Sequence, residues 1–589
     1  MTAVEIIPLA ETNGDAKPAV TATESIKNVA NGIVSKLTNE SSITLPEFLN
    51  EDLPINQPRK LKIIQIGAGV SGIEMSHKIR SLLNVELKIY EKNSGLGGTW
   101  FENRYPGCAS DIPGHIYCYT WEPNPNWSKL IVGSPEILQY LEHVVDKHDL
   151  RKYMSFNHQV VGATWIEKSA KWSVEITRQT PQGPVTFTDV ADILISGTGI
   201  LNVWKYPNVE GLKDYKGKLL HTANWDESFD WEGKTIATLG SGASAVQVVP
   251  QLQKKIVAKK LDIYVRNPTW MTPDPWKRFG PEGMNKVYSE EERAHFGADP
   301  DFFLRYRKAV EGYFNGGWKT FYKGSAAQAE AQAGTLAHYQ EIFHDETLRN
   351  FMTPSFGVGC RRPTTGDNFV RAMQEPNTTV FPFGVTKMNE DGIVHADGTV
   401  NKYDAIVCAT GFDTSFTPRF PIHGRNGHEL MEDFSKSPEA YLGLAVHGYP
   451  NFFMFSGPIS PVGNGSAFPG AEGTAEYIAQ FLKKFHKEGI RTFEIEQKPQ
   501  DDFNDWVQAK MSKMVWTDNC DSWYKHPKTG KVQVTWPGSM LHYREAMADV
   551  HYEHFKLDYL SKNVFDWFGN GLTWSEVNDK HGDMAPYIT

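Results

Sequence analysis

An early stretch of the chain alternates apolar runs with an amphipathic segment around a glycine-rich turn. LKIIQI (61–66) leads into GAGVSG (67–72), a helical pattern follows to about Leu83, and LKIYEK (87–92) is a second apolar run. A strand, a glycine turn, a helix and a second strand in this order form a dinucleotide-binding unit. The pattern therefore predicts a nucleotide bound at the glycine turn.

The same order of elements recurs further along the chain. KTIATL (234–239) leads into GSGASA (240–245), a helical pattern continues through Gln253, and LDIYV (261–265) follows. Because each unit is a strand, turn, helix and strand, the repetition predicts an α/β protein. We expect two Rossmann-like domains that bind two nucleotides.

The remaining pattern predicts how these units are interrupted. Spacing between about Pro275 and Phe351 is helical, which indicates a helical insertion. YDAIVCATGFD (403–413) is a strand ending at a glycine turn, and we expect it to complete the sheet of the first domain. The predicted divisions are an N-terminal extension (1–57), the first part of the FAD-binding domain (58–200), the first part of the NADP-binding domain (201–274), the helical insertion (275–355), the second part of the NADP-binding domain (356–402) and the second part of the FAD-binding domain (403–589).

Composition and charge exclude several classes of function. The net charge is −10 and the pI about 6.0, which argues against attraction to nucleic acid or anionic membranes. We find no apolar run of eighteen residues and no signal segment, so we expect no membrane span and a cytoplasmic protein. The five cysteines form no spaced pair. They predict neither a disulfide framework nor a metal site, but buried, reduced thiols.

The first glycine loop carries the features of a pyrophosphate site. Gly67 would permit the tight turn, Gly69 would let backbone N–H groups approach a pyrophosphate, and Gly72 would let the helix pack closely on the strand. Glu91 follows Gly72 by 19 residues, a spacing at which a carboxylate accepts hydrogen bonds from ribose hydroxyls. This unit is predicted to bind a nucleotide with a free ribose diol.

The second unit ends differently. Its second strand is followed by Arg266 and Asn267, and a guanidinium can pair with a 2′-phosphate that a carboxylate would repel. The alternative is an exposed arginine after an edge strand. A unit for a ribose diol beside a unit for a 2′-phosphate fits FAD that is reduced by NADPH, so the predicted cofactors are FAD and NADP(H).

Two further segments suggest the chemistry. GGTWFENRYPGCASDIPG (97–114) follows Glu91 closely and is expected to wrap over the first cofactor, with Asp111 as a fixed charge near its end. An Asx turn before Pro113 is the other interpretation of Asp111. VGCRRPTTGDNF (358–369) places Arg361 beside Arg362 after apolar and glycine residues. Such a pair is either a solvated surface feature or a buried oxyanion site that needs a carboxylate such as Asp111.

At this point the motifs resemble those of a known family. GGTWFENRYPGCASD fits the long motif of type I Baeyer–Villiger monooxygenases at every fixed position. YKGKLLHTANWD (215–226) fits their fingerprint FxGxxxHxxxW(P/D), except that Tyr215 replaces the phenylalanine. Glycine loops flank the fingerprint as the family requires, and CATGFD resembles its late ATG segment. The resemblance covers roughly residues 58 to 550.

The resemblance implies a role for particular residues. Arg362 resembles the active-site arginine and Asp111 the aspartate that hydrogen-bonds it, although Arg361 is the neighbouring alternative. Arg266 matches the 2′-phosphate arginine, and Trp523 is either the tryptophan of a mobile loop over NADP or a core aromatic residue. The cofactor-binding positions expected in all are Gly67, Gly69, Gly72, Glu91, Gly98, Thr99, Trp100, Asp111, Tyr117, Gly240, Gly242, Ala245, Arg266, Arg361 and Trp523.

The fingerprint lies where the chain leaves the first unit and enters the second. His221, with Gly217 and Trp225, therefore belongs either to a linker that couples the two units or to the structural core. The sequence departs from the well-known cycloalkanone-oxidising members at its N-terminal extension, at CRRPTTGDNF and at KTGKVQVTWPGSMLHY. These departures affect the expected ketone more than the expected chemistry.

The implied reaction uses NADPH, O2 and a small-molecule ketone. In that family the reduced flavin forms a C4a-peroxide that attacks the ketone carbonyl, and the tetrahedral adduct yields an ester or lactone. Sulfoxidation is a possible side activity. The alternatives are a flavin monooxygenase that oxidises nitrogen or sulfur, a flavin disulfide reductase, which the missing cysteine pair disfavours, and a non-catalytic flavin-binding sensor.

Overall fold

The computed structural model describes residues 52–254, 259–463, 465–578, 582–585 and 587–588. The predicted N-terminal extension therefore lies outside the described residues, apart from its last six positions. That short end pairs with the C-terminal region, through bridges from Pro54 to Gly569 and from Ile55 to Thr573.

The described part contains 21 strands. The strands are β1 (Leu61–Ile66), β2 (Val85–Tyr90), β3 (Met154–Ser155), β4 (His158–Ile166), β5 (Lys171–Thr180), β6 (Gly183–Ala191), β7 (Ile193–Ser196), β8 (Lys218–His221), β9 (Thr235–Leu239), β10 (Lys260–Tyr264), β11 (Met271–Thr272), β12 (Thr364–Thr365), β13 (Thr378–Phe381), β14 (Lys387–Met388), β15 (Gly392–Val394), β16 (Val400–Lys402), β17 (Ala405–Cys408), β18 (Ile422–His423), β19 (Phe452–Met454), β20 (Ile490–Ile495) and β21 (Phe555–Tyr559).

The α-helices cover the sheets and fill the segments between them. They are α1 (Val70–Lys78), α2 (Thr99–Glu102), α3 (Ser134–Lys147), α4 (Ala243–Lys254), α5 (Glu290–Ala298), α6 (Pro300–Gly316), α7 (Ala326–Ile342), α8 (Glu346–Met352), α9 (Asp367–Met373), α10 (Leu430–Lys436), α11 (Ala467–Lys487), α12 (Gln497–Met511), α13 (Met540–Ala546) and α14 (Trp574–Asn578).

Two five-stranded parallel sheets dominate the fold, in the orders β19-β7-β1-β2-β3 and β13-β10-β9-β17-β8. In each sheet the strand before the glycine loop is central, and its residues are almost entirely buried. Apolar runs of this kind are typical of parallel strands that are covered on both faces. The α/β fold with two dinucleotide-binding sheets is confirmed.

The position of one strand corrects the sequence analysis. We predicted that the strand in YDAIVCATGFD would complete the first sheet, but β17 pairs with β9 and β8 of the second sheet. The distant strand that joins the first sheet is β19, which pairs with β7. A short buried strand carries no local signal for its partner, because its apolar residues suit either sheet.

The helical segment packs on the motif loop of the first unit. Apolar residues of the 275–314 segment, including Trp276 and Phe303, form a cluster with Ile112, Ile116 and Leu130. The helices α5 to α8 lie between β11 and β12, which are themselves paired. The segment therefore leaves and rejoins the second unit at one place and covers residues just beyond Asp111.

A smaller mixed sheet of order β18-β4-β5-β6, in which β18 is parallel to β4 and the other pairs are antiparallel, packs beside the first parallel sheet. Helix α1 packs against α11 on the first parallel sheet. Within the described residues, no helix combines the length and apolar character that a membrane crossing requires.

Candidate active site

The first glycine loop forms a close cradle between strand and helix. Gly67 has φ +100°, and a Cβ atom there would lie 2.6 Å from the carbonyl oxygen of Gly197. A Cβ atom on Gly72 would overlap the carbonyl oxygen of Gly67. Only glycine fits both positions without a backbone shift, because the obstacle in each case is main chain. The residues fit the predicted pyrophosphate site of a dinucleotide.

Glu91 is held at the end of β2 by backbone donors. Its side chain accepts hydrogen bonds from the N–H of Ala68 at 2.9 Å and from the N–H of Asn93 at 2.9 Å. It is buried, and burial raises its pKa. The carboxylate is thereby fixed beside the glycine loop, where its remaining lone pairs can accept from ribose hydroxyls.

The motif segment 97–114 begins against this loop. Gly98 has φ +54°. A Cβ atom on Gly69 would lie 3.5 Å from the Cα of Gly98, so the two backbones are in close contact. Thr99, which is exposed, and the buried Trp100 follow in α2. The ring of Tyr117 packs edge-on against Trp100 at 5.5 Å between centroids. The predicted first-unit residues are thus brought together around one loop.

The same segment then crosses to the second unit. The Tyr105 hydroxyl donates to Oε1 of Gln247 at 2.7 Å, and the Gln247 amide donates to the carbonyl of Ala109 at 2.9 Å. Gly107 leaves room for the carbonyl of Gln247, since a Cβ there would be 2.6 Å from that oxygen. Gln247 lies in α4, so the motif segment physically joins both dinucleotide units.

Asp111 ends this segment in a bidentate pair with Arg362. Asp111 Oδ2 accepts from Nε of Arg362 at 2.8 Å, and Oδ1 accepts from Nη2 at 2.9 Å. Arg362 Nη1 also donates to the carbonyl of Val462 at 3.2 Å. The side chains are 29% and 37% exposed for Arg362 and Asp111, respectively. The pair is partly open to its surroundings, so a ligand can reach the guanidinium.

Electrostatics keep both members of the pair charged. Burial alone would raise the pKa of Asp111, but the charge and hydrogen bonds of Arg362 lower it below the usual value. The charge of Asp111 raises the pKa of Arg362, against the opposing effect of burial. A fork of two parallel N–H···O bonds fixes the plane of the guanidinium. Such a group can stabilise an oxyanion.

Arg361 faces elsewhere. Its Nη1 donates to the carbonyls of Asn267 at 3.0 Å and Pro268 at 2.9 Å, directly after the second dinucleotide strand. Burial lowers its pKa. The geometry therefore separates the two neighbouring arginines, with Arg362 on Asp111 and Arg361 on the second unit.

Comparisons with known proteins identify the family of this chain. A family model described as FMO-like, flavin-binding monooxygenase-like, matches residues 60–286. The FAD-binding monooxygenase moxY of Dothistroma septosporum is 39% identical over 559 residues, which are 92% of this chain and 87% of the relative. A Baeyer–Villiger monooxygenase of Pseudomonas aeruginosa is 32% identical over 82% of this chain and 89% of its own length. This chain belongs to the family of type I Baeyer–Villiger-like flavin monooxygenases.

Solved structures give the same fold. The closed crystal structure of cyclohexanone monooxygenase has a TM-score of 0.73 and 25% identity, and covers 85% of this chain and 100% of its own. An oxidized steroid monooxygenase bound to NADP has a TM-score of 0.72 and 26% identity, over 85% and 99% of the two chains. The prediction of FAD and NADP(H) is confirmed for the family to which this monooxygenase belongs.

The second glycine loop of the monooxygenase repeats the geometry of the first. Gly240 has φ +122°, and a Cβ there would be 2.5 Å from the carbonyl oxygen of Ala409. Gly242 has open space around it, and Ala245 is fully buried. The carbonyl of Ala409 belongs to the ATG segment after β17. The ATG segment therefore closes on the second loop rather than on the first.

Arg266 is exposed, and its Nη2 pairs with Asp521 Oδ2 at 2.6 Å. Trp523, two residues beyond Asp521, is partly buried and lies 4.5 Å from the ring of Tyr524. The fold thus brings Arg266, Arg361 and the segment of Trp523 to one place, as the prediction of an NADP(H) site requires.

Of the three fingerprint residues, His221 lies in the core of the second unit, Trp225 is half-buried and Gly217 is exposed. His221 ends β8, is fully buried, and stacks on Trp204 with 5.0 Å between ring centroids. Burial lowers its pKa to about 4, and its Nδ1 accepts from the N–H of Ala223. A Cβ on Gly217 would overlap the Tyr215 ring, and Trp225 stacks on Trp231. This packing favours the structural interpretation of His221.

The predicted reduced state of all five cysteines is wrong for two of them. Cys360 and Cys520 form a disulfide with 6.3 Å between their Cα atoms, although 160 positions separate them in sequence. Cys108, Cys118 and Cys408 are buried free thiols. Sequence spacing shows local pairs only, whereas this pair is made by the tertiary fold.

Three residues at the site were missed by the sequence analysis. They are Gln247, which binds the motif segment, Asp521, which binds Arg266, and Tyr524, whose buried hydroxyl lies beside Arg362. Burial raises the pKa of Tyr524, and the charge of Arg362 opposes part of that rise. Only Gln247 has a sequence signal, since it follows Gly240 at the spacing at which Glu74 follows Gly67.

Proposed function

We propose that this monooxygenase uses NADPH and O2 to convert small-molecule ketones to esters or lactones. The observation that carries the proposal is the bidentate pair of Arg362 and Asp111. The pair lies where the motif segment of the first unit meets the segment that contains Arg362. Cys360 of that segment forms a disulfide with Cys520, which is three positions before Trp523. An N- or S-oxygenating enzyme shares the dinucleotide units but has no evident need for this pair.

FAD would be held by the first unit and NADP(H) by the second. The fit for FAD rests on the cradle of Gly67 and Gly72 and on the fixed carboxylate of Glu91. The fit for NADP(H) rests on Gly240 with Arg266 and Arg361 at the end of the second unit. When bound, these cofactors supply the electrons and the activation of oxygen.

The protein's own contribution is electrostatic. Asp111 and Val462 together occupy three of the five guanidinium N–H groups of Arg362. N–H groups on both terminal nitrogens remain for other acceptors, among them the Tyr524 hydroxyl and an oxyanion. Arg362 would stabilise the negative charge that develops on oxygen as the ketone carbonyl is attacked. Asp111 would orient the guanidinium and balance its charge when no anion is present.

The test is to replace Arg362 by alanine and to measure ester formation with a ketone panel that spans linear, cyclic, aryl and steroid substrates. Loss of one oxyanion-stabilising donor set costs about 2.7–4 kcal/mol, so we expect ester formation to fall by about 10² to 10³. The flavin should still bind and should still be bleached by NADPH.

Arg361→Ala is the matched control, because it removes the same charge one position away. We expect it to weaken NADP(H) binding and to leave ester formation at saturating NADPH nearly unchanged. Ester formation by Arg362→Ala at the wild-type rate would disprove the assignment. A wild-type protein that makes sulfoxide or N-oxide but no ester would instead belong to the N- or S-oxygenating class. A protein that oxidises NADPH with none of the ketones, thioethers or amines would be a sensor.

We also propose the cytoplasmic location expected from the sequence. The disulfide is the observation that opposes it, because thiol pairs are usually kept reduced in that compartment. Subcellular fractionation of the expressing organism tests the proposal, and recovery of the protein with secreted or organellar fractions would contradict it.

A further inference from the structure

A carboxylate occupies the end of the second dinucleotide unit. Oδ2 of Asp521 accepts from Nη2 of Arg266 at 2.6 Å and from Nδ2 of Asn267 at 3.3 Å. Both donors immediately follow the second strand of that unit. Under the proposed function, this is the place at which the 2′-phosphate of NADP(H) is bound.

The surroundings favour an anion at this position. Arg361 is anchored on the carbonyls of Asn267 and Pro268, and its charge therefore lies close to the same point. Burial lowers the pKa of Arg361, the charge of Asp521 opposes this fall, and the charge of Arg266 adds to it. One guanidinium and one amide on a single acceptor, with a second guanidinium held on the adjacent backbone, form a donor set that suits a phosphate group.

We propose that Asp521 is an internal substitute for the 2′-phosphate, which binding of NADP(H) displaces from Arg266. This inference rests on the proposed function, because it requires Arg266 to be the 2′-phosphate ligand. One guanidinium face cannot serve both groups, since a carboxylate and a phosphate at the same donors repel each other. The phosphate brings more charge and more acceptor oxygens than the carboxylate, so it is the stronger ligand.

The exchange costs little at the surface. The side chains of Arg266 and Asp521 are 73% and 63% exposed, and ion pairs in such positions contribute weakly to stability. The backbone on either side of Asp521 is held independently of Arg266. Cys520 is bonded to Cys360, and the ammonium group of Lys525 donates to the carbonyls of Asp518 and Cys520. The side chain of Asp521 can therefore leave while its segment stays attached.

Asp521 lies close in sequence to residues beside the catalytic pair. Trp523 and Tyr524 follow Asp521 by two and three positions, and Tyr524 lies beside Arg362. A nucleotide that carries a 2′-phosphate releases Asp521, whereas NAD(H) has no group to displace it. Asp521 is thus a specificity-determining residue that lowers the affinity for NADP(H) without acting on NAD(H).

The experiment measures binding rather than turnover. NADP+, NAD+ and adenosine 2′,5′-bisphosphate are titrated calorimetrically into the flavin-loaded wild type and Asp521→Asn. We expect Asp521→Asn to bind NADP+ and the bisphosphate about three- to fivefold more tightly, which is the upper part of the range that the loss of one weak competing ion pair implies. Binding of NAD+ should change by less than about twofold.

Asp505→Asn is the charge-matched control. Asp505 is exposed on α12 and makes no ion pair among the described residues, so its neutralisation should leave all three affinities unchanged. If Asp521→Asn binds NADP+ no more tightly than the wild type, or tightens NAD+ by the same factor, the inference is wrong. A gain that Asp505→Asn reproduces would also overturn it, because overall charge would then be the cause.

A further variant separates this inference from the function on which it rests. Arg266→Ala should lose the discrimination between NADP+ and NAD+, and the additional change Asp521→Asn should then have no effect. Retained discrimination in Arg266→Ala would refute the phosphate role of Arg266 and the inference together. If Arg266→Ala loses the discrimination but the single variant Asp521→Asn binds NADP+ with the wild-type affinity, the inference alone is refuted.

Discussion

The two dinucleotide units follow one plan and differ at a few decisive positions. In each sheet the first glycine of the loop lies against a carbonyl from a GTG or ATG segment, Gly197 in the first unit and Ala409 in the second. After the second strand, however, the first unit has the buried Glu91 and the second the exposed Arg266. The plan thus provides a nucleotide site, and one residue after the strand decides which ribose it suits.

The third loop position shows a second difference. A Cβ atom on Gly72 would overlap the carbonyl oxygen of Gly67, so there is no room for a methyl group. Ala245 carries a methyl group at the equivalent position and is fully buried. Helix α1 therefore approaches its strand more closely than α4 does. The first unit has the tighter cradle, so a larger residue at its third loop position should be tolerated less well than in the second unit.

The seventh position after the first loop glycine binds the chain near Asp111 in both units, beyond the motif segment in the first unit and within it in the second. In α1 the buried Glu74 accepts from Nε1 of Trp121 at 2.8 Å, and in α4 Gln247 binds Tyr105 and Ala109. Both helices thus hold the stretch that carries Asp111, one with an acid and one with an amide. The acid adds a dependence on pH that the amide does not have.

The largest expected effect comes from adding a methyl group to the tighter cradle. Gly72→Ala would force α1 away from β1, because the obstacle is a backbone carbonyl. We expect purified Gly72→Ala to contain less than about a tenth of the wild-type flavin, a loss of more than ~1.4 kcal/mol in binding. The ratio of flavin to protein absorbance measures it.

The control makes the opposite change in the other unit. Ala245→Gly removes a buried methyl group and should lower the free energy of unfolding by about 1 kcal/mol while leaving the flavin content unchanged. Full flavin in Gly72→Ala, or equal flavin loss in both variants, would show that the two cradles are not different.

The next effect concerns Glu74 and the stability of the fold. Burial raises the pKa of Glu74 to about 7 from 4.5, and nearby Glu472 contributes to the rise. Between these values the folded state keeps a proton that the unfolded state has lost. Stability therefore falls as pH rises from about 4.5 to about 7 and is level above that range. Each unit of pKa difference is worth about 1.4 kcal/mol, so the rise from 4.5 to about 7 corresponds to a loss of stability on the order of 3 kcal/mol.

Glu74→Gln gives the first unit the amide of the second. It keeps an acceptor for Trp121 and removes the titration, so the variant should be more stable than the wild type at pH 8 and about equal to it at pH 4.5. Urea denaturation across this pH range measures the difference. A wild-type slope that persists in Glu74→Gln would assign the pH dependence to other groups.

The smallest effect concerns the residue after the strand. Arg266→Ala should raise the KM for NADPH about tenfold, or ~1.4 kcal/mol, and leave that for NADH nearly unchanged. Glu91→Gln is the comparison, since it should weaken the binding of the flavin and leave the preference for NADPH over NADH unchanged. An unchanged preference in Arg266→Ala would mean that the exposed arginine is not a phosphate ligand.

Local sequence was sufficient for much of the fold. The glycine loops, their central strands and their helices were predicted, because apolar periodicity and glycine turns are local properties, although the first helix was predicted to about Leu83 and α1 ends at Lys78. The predicted segment LKIIQI coincides with β1, and the helix predicted through Gln253 ends at Lys254. The candidate pair of Asp111 with an arginine was also predicted, through the resemblance of the motifs.

The partner of a strand was not predictable in the same way. The sequence analysis placed β17 in the wrong sheet, although ISGTG (195–199) and CATG (408–411) resemble each other and mark β7 and β17 as equivalent strands. That repeat was the available signal. Apolar content alone could not reveal it, since both sheets bury their central strands completely.

By itself, the sequence determined two dinucleotide units, their different residues after the strand and the family to which the chain belongs. The tertiary structure decided which of two adjacent arginines meets Asp111 across 251 positions, that Cys360 reaches Cys520, and that Asp521 lies on Arg266. These are contacts between segments far apart in the chain. Their geometry follows from how the two units and the C-terminal part pack together, and that packing has no local periodicity from which it could be predicted.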